Sequence, residues 1–193
     1  MVRTALPLLL LLATSGTVAA AVLRVPDDHK TIQAAIDAAA PGDTISVTPG
    51  KYAEAIELKP GIALRSAGDD SLGTAGLKRA EATVIEGGGK AGDAPGVVMA
   101  EGSTLDGFTI TGVGVYDEAL WKMHFDSSGE ELGDEEGALE AEGSTPAVSI
   151  HGVSCTVSNC IVHHNGDVGI GILGKVGAKT EPFISANVVY RNM

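Results

Sequence analysis

In SNCIVHHNGD, residues 158–167, two adjacent histidines sit beside a cysteine, an asparagine and an aspartate, a grouping able to hold a metal or to move a proton. The chain offers a second version of the same stretch further on. SANVVYRN, residues 185–192, aligns Ser158 with Ser185, Ile161 with Val188, Val162 with Val189, His163 with Tyr190, His164 with Arg191 and Asn165 with Asn192. Read as a repeat, the match stacks each residue on its counterpart, with Tyr190 above His163 at a strand spacing of about 4.8 Å. A polar column of this kind suits a non-catalytic stack, in which side chains hydrogen-bond along the column. The functional alternative is an outer patch of His163, His164, Asp167, Tyr190 and Arg191 that binds glycan, with a histidine or the arginine as general base. Zinc is disfavoured, because adjacent histidines in a regular strand face opposite ways and a third ligand is not evident.

Other reactive side chains carry less. Cys155 and Cys160 are the only cysteines. Five residues of extended chain separate them by about 16 Å, beyond the reach of a disulfide, so they are expected as two buried thiols that pack like small apolar residues. His29 and His151 are isolated, and Lys51 and Tyr52 belong to a turn. Asp69 and Asp70, in a Gly-rich stretch between Ser66 and Ser71, read as a solvated turn.

The elements that must position these groups are mostly strands. TIQAAIDAAAPGD places Ile32, Ala35, Ile36 and Ala39 on one helical face, predicting a short helix near 31–39, capped by Asp28 or Thr31 and ended by Pro41-Gly42. From Asp43 the period becomes two: Ile45 and Val47, then Ile56 and Leu58, then Ile62 and Leu64 pair on alternate positions, and each run closes on Gly or Pro-Gly. Further strands follow to the end, and no second helix with a convincing periodic face is expected. Without crossover helices a doubly wound α/β fold is excluded.

Three segments superpose without gaps: LDGFTITGV from Leu105, VSNCIVHHN from Val157 and ISANVVYRN from Ile184. Leu105, Val157 and Ile184 make one apolar column; Ile110, Val162 and Val189 make another, five residues on. An odd spacing between two inward positions requires a bend, near Phe108, Cys160 and Asn187. The recurrence fits one coil of a β-solenoid and gives a sandwich no reason to exist. On residues 31–68, TIQAAIDAAAPGDTISVTPGKYAEAIELKPGIALRSAG, the chain resembles the opening of right-handed parallel β-helix proteins of the pectin-lyase-like superfamily, including pectin methylesterases and exported bacterial repeat proteins. The resemblance implies an all-β, right-handed parallel β-helix of about five or six coils, its N-terminal end plugged by the helix at 31–39, which would cover otherwise unpaired strand edges. It also implies carbohydrate as the ligand class. The Gly-His-Gly and Arg-Ile-Lys signatures of polygalacturonases and the QDT and DFIFG signatures of methylesterases are missing, so no catalytic constellation is identified.

Between the repeats lies an acidic insertion near 116–145, YDEALWKMHFDSSGEELGDEEGALEAEGST, with ten Asp or Glu and one Lys. It admits two readings, a solvated acidic loop or a calcium site, and the spacing matches neither an EF-hand nor a GGxGxD repeat. Its Trp121, Tyr116 and Phe125 either stack on sugar rings or anchor the loop to the wall.

Charge and termini bound the rest. Thirteen Lys plus Arg against 25 Asp plus Glu give a net charge of −12, which repels phosphate backbones and argues against nucleic acid as partner. Arg3, the run Leu8 to Leu12 and the small residues Ala19 to Ala21 follow the order of a secretory signal peptide over 1–21, leaving a domain over 22–193. A secreted, periplasmic or cell-envelope location follows, without a membrane span. The chain stops at VVYRNM with no segment to cover the last coil, so it is expected to be a C-terminally truncated piece of a longer β-helix, or to borrow coils from another chain. The function predicted is an exported β-helix repeat protein associated with polysaccharide or envelope glycan. The alternatives are a polysaccharide-active lyase, esterase or epimerase, and a structural or adhesive surface solenoid.

Overall fold

A computed structural model describes residues 19–71, 73–87, 94–128 and 145–193. Nearly all of the segment read as a signal peptide, and residues 129–144 of the acidic insertion, lie outside the described residues. No described helix is long and apolar enough to cross a membrane.

The described chain is mostly β, in three sheets whose strand pairs are all parallel. Sheet A contains β1 (Val22–Val25), β2 (Thr44–Val47), β5 (Ala63–Ser66), β8 (Thr104–Asp106), β11 (Thr156–Ser158) and β14 (Phe183–Ser185). Sheet B contains β3 (Gly50–Tyr52), β6 (Thr83–Glu86), β9 (Thr109–Thr111), β12 (Ile161–Asn165) and β15 (Val188–Asn192). Sheet C contains β4 (Ile56–Glu57), β7 (Val97–Val98), β10 (Val148–His151) and β13 (Ile170–Leu173). From β2 onward the chain visits A, B and C in unbroken rotation, an arrangement compatible with a parallel β-helix.

The repeat read in the sequence is the register of this stack. Leu23, Ile45, Leu64, Leu105, Val157 and Ile184 are successive partners in sheet A. Tyr52, Ile85, Ile110, Val162 and Val189 are successive partners in sheet B. Ile56, Val97, Val148 and Ile170 do the same in sheet C. The central members of these columns are buried in one continuous core, each fully buried aliphatic side chain contributing about 1.5–3 kcal/mol of hydrophobic stabilisation. At the turn from sheet A to sheet B the odd spacing is absorbed one residue earlier than Phe108, Cys160 and Asn187. Gly107, Asn159 and Ala186 take left-handed φ values of 83, 54 and 54°, which swing the next residue inward. There Phe108 and Cys160 are buried, while Asn187 receives the Cys160 N–H at 2.8 Å and donates to the Val157 carbonyl at 2.9 Å.

α1 (Ile32–Ala38) sits against β1, β2 and β4 with Ile32, Ala35 and Ile36 buried. Thr31 is its cap, accepting the Ala34 N–H at 3.1 Å, and the two oxygens of Glu54 accept the Ile32 and Gln33 N–H groups at 3.0 Å each. Four N–H groups of a helix start lack intrahelical partners, and here three of them are met by side chains.

Two further helices correct the expectation of a single one. α2 (Lys78–Ala82) lies in the excursion between β5 and β6, and α3 (Glu118–Asp126) lies in the part of the acidic insertion that is described. Neither has the wide apolar stripe by which α1 was legible: five residues are too few to show a period, and α3 buries none of its residues. α3 is set instead by its cap, since Asp117 accepts the Ala119 and Leu120 N–H groups at 2.8 and 3.0 Å.

Candidate functional site

The outward columns of sheet B form the floor of the first candidate site. Lys51, Val84, Thr109, Ile161 and Val188 follow one another in register, and beside them run Glu86, Thr111, His163 and Tyr190. The excursion that contains α2 rises along this floor, where the Glu81 carboxylate holds it by accepting the Thr74 and Ala75 N–H groups at 2.8 and 2.5 Å. Between wall and floor lies a groove of about 380 Å³ bordered by Lys51, Glu81, Thr109, Thr111, His163 and Tyr190.

The histidines meet here in a way that alternation along a strand forbids. His164 has a left-handed φ of 52°, and Arg191, its aligned residue in the neighbouring β15, has 48°. This second left-handed position turns His164 back toward its neighbour, so the two imidazoles lie edge to face, 4.8 Å apart, with their Nδ1 atoms at 2.7 Å. The expectation that His163 and His164 face opposite ways is therefore corrected. The sequence held a signal for this: the aligned residue in the first copy is Gly112, φ 67°, and a glycine in one copy of a repeat marks a position where the backbone is left-handed.

Around the pair the site is aromatic. His163 stacks on Tyr190 with centroids 5.1 Å apart and planes inclined by 30°, and its Nδ1 is 3.3 Å from the Thr111 hydroxyl. His164 meets Tyr116 edge-on at 4.8 Å. Burial, and secondarily the positive charge His164 would carry, pushes the His163 imidazole below its ordinary pKa of 6.5. A contact between two Nδ1 atoms needs one protonated and one bare nitrogen, so it cannot survive with both rings as imidazolium.

Arg191 leans over the Trp121 ring at 5.3 Å and pairs with Glu118 at 3.4 Å. Trp121 in turn stacks on Phe125 at 5.1 Å, and the Tyr116 hydroxyl donates to Glu118 at 2.6 Å. Burial and then this hydrogen bond to a carboxylate push the Tyr116 phenol up to about 12. The aromatics of the insertion thus tie α3 to sheet B. Of the five residues proposed from sequence, His163, His164, Tyr190 and Arg191 come together, with Tyr116, Trp121 and Thr111 added. Asp167 does not join them: it accepts the Thr145 and Val168 N–H groups at 2.8 and 2.7 Å and shapes the turn between β12 and β13.

Behind the pair, Asn165 is fully buried, receiving the Val113 N–H at 3.0 Å and donating to the Asn192 side chain at 2.8 Å. This ladder keeps the last residues of β12 and β15 in line. The two cysteines are buried and free, and burial raises their thiols to about 11 for Cys155 and about 12 for Cys160, well removed from reactive thiolates. Among the described residues no three His, Cys, Asp or Glu side chains are grouped to hold a metal ion.

A second cluster was not legible in the sequence. Arg79 of α2 is 5% exposed and Asp106 of β8 is 7% exposed at its side chain, and they pair at 3.0 Å. Arg65 reaches the same Asp106 oxygen at 2.7 Å, while Ser158 and Asn159 donate to its other oxygen at 3.3 and 2.7 Å. Asp70 bridges Arg65 and Arg79, and Asp69 pairs with Lys78 at 3.1 Å. The Asp69-Asp70 turn is exposed, as read, but it is ion-paired rather than merely solvated. No protein-family model matches the chain, and no curated protein matches it.

Proposed function

We propose that the chain is an exported, right-handed parallel β-helix repeat protein of the pectin-lyase-like type whose sheet B face binds carbohydrate. The observation that carries this reading is the half-exposed Tyr190 ring, stacked on His163 at the edge of a groove of about 380 Å³ that Thr109, Thr111, Lys51 and Glu81 border. A flat aromatic face offers the apolar contact a sugar ring needs, and hydroxyl, ammonium and carboxylate groups beside it supply the directional contacts that fix orientation. The all-parallel stack, the plug-like α1 and the resemblance over residues 31–68 support the β-helix assignment. The basic, apolar and small-residue order of the first 21 residues supports export to the periplasm, envelope or medium.

Binding is tested on a glycan array, followed by calorimetry on the glycan that responds. Tyr190→Ala is expected to weaken binding by about tenfold, the loss of roughly one aromatic contact. Absence of binding to every glycan would overturn the proposal and leave a structural or adhesive spacer. A polysaccharide-active enzyme is the second reading, favoured by the neutral His163 beside the groove as a base. It requires new ultraviolet absorbance from unsaturated ends, or methanol release, on pectin or alginate in the presence of calcium. Flat traces with intact binding select the non-catalytic module.

A further inference from the structure

The excursion carrying α2 walls a second pocket, on its other side from the sheet B groove. It encloses about 400 Å³ and is lined by Arg65, Asp70, Lys78, Arg79 and Asn159. We propose that this pocket is a binding site for an oxyanion of a ligand, a carboxylate, sulfate or phosphate group, which the Asp69-Asp70 turn occupies in its place when no ligand is bound.

Charge counting inside the pocket points to this. Arg65 and Arg79 both bond the same oxygen of Asp106, at 2.7 and 3.0 Å. One carboxylate neutralises one guanidinium, so the two arginines on Asp106 leave a net positive charge beside the buried Arg79, which favours a second anion there. Asp70 supplies that second anion, but from an exposed turn: its side chain is 66% exposed, against 7% for Asp106. The two carboxylates are held very differently. Asp106 is anchored on β8 and saturated by Arg65, Arg79, Ser158 and Asn159. Asp70 touches only the guanidiniums among its described contacts, with Arg65 at 3.2 Å.

The cations, by contrast, are preset. Arg79 donates to the Ser66 carbonyl and hydroxyl at 3.0 and 3.1 Å, which fixes the plane of its guanidinium independently of Asp70. Gly107 leaves the space this plane needs, since a Cβ there would strike the Arg79 guanidinium and the Ser66 hydroxyl. Lys78 stands beside it, held only by the Asp69 carboxylate at 3.1 Å among its described contacts. Swinging the turn outward therefore exposes two guanidinium edges and an ammonium around one space, a geometry suited to a trigonal or tetrahedral oxyanion. The Arg65–Asp70 and Lys78–Asp69 pairs join exposed side chains and are weak, which leaves the contact of Asp70 with the buried Arg79 as the main hold a ligand has to replace.

The site lies apart from the Tyr190 groove, and its test uses small anions rather than glycans. The native mature chain and the Asp69→Asn/Asp70→Asn variant are titrated with sulfate, phosphate and citrate, with chloride at matched ionic strength as reference, by thermal shift and calorimetry. Removing the internal competitor is expected to tighten binding of the preferred oxyanion by about tenfold, and adding Arg65→Gln is expected to abolish it. The anion that responds distinguishes a carboxylated from a sulfated or phosphorylated ligand. Equal affinity in native and variant chains, or an equal response to chloride, overturns the proposal. Should the double variant not fold, the native chain still decides: a sulfate, phosphate or citrate shift above chloride must be present and must vanish in Lys78→Gln and Arg65→Gln, both at exposed side chains.

Discussion

His163 couples the site to proton concentration. Its imidazole is held below the ordinary value of 6.5 in the folded chain by burial and by His164, whereas the unfolded chain titrates at that ordinary value. Between the two values the unfolded state binds more protons, so stability must fall as the solution is acidified through this window and be fully present above it. On acidification through this window the native chain is expected to lose more in melting temperature than His163→Gln. Parallel melting profiles for the two proteins would remove the claim that His163 is neutral in the fold. The same window bears on the carbohydrate binding proposed above, because protonating His163 removes the bare Nδ1 with which it can accept from His164 in the contact that fixes it beneath Tyr190.

At the scale of elements, α3 is attached to the stack through side chains rather than through a buried face. None of its residues is buried, and its hold on β15 runs through Arg191, which lies over Trp121 and pairs with Glu118. An exposed ion pair and one cation–π contact are together worth about 1–2 kcal/mol, enough to dock a short helix and little enough to release it. Arg191→Ala is therefore expected to free α3 while leaving the stack folded. Trp121 is the only tryptophan, so its emission reports this directly: a red shift with unchanged far-ultraviolet dichroism is expected. An unshifted spectrum would mean that the Tyr116 contact with His164 suffices to hold the helix.

At the scale of the whole described chain, stability is carried by columns of buried side chains that pass from one parallel strand to the next. Leu105 lies at 0% exposure between Leu64 and Val157. Leu105→Ala opens a cavity facing both neighbours, and the expected loss is about 3 kcal/mol, read from the urea midpoint. A loss below about 1 kcal/mol would show that the adjacent strands collapse onto the gap, contrary to a close-packed core. α1 adds Ile32 and Ile36 to the same core against β1, β2 and β4, and Glu54 secures its start.

Much of this was legible before any coordinate. Apolar period and repeat interval are linear properties, so Ile32, Ala35 and Ile36 announced α1, and the alignment of Leu105, Val157 and Ile184 announced a parallel register, because parallel strands in register place like residues in one row. The stacking of Tyr190 on His163 followed from the same alignment. Two things were decided only by the tertiary structure. One is the turn of His164 toward His163, which depends on a backbone angle that a histidine does not declare, although its aligned Gly112 hinted at it. The other is the meeting of Arg65, Asp70, Arg79 and Asp106. These residues come from elements joined by irregular excursions, and no period relates their positions, so their convergence depends on where the α2 excursion folds back against the wall. Repetition along a chain encodes which strands lie together; it does not encode which charges meet at their margins.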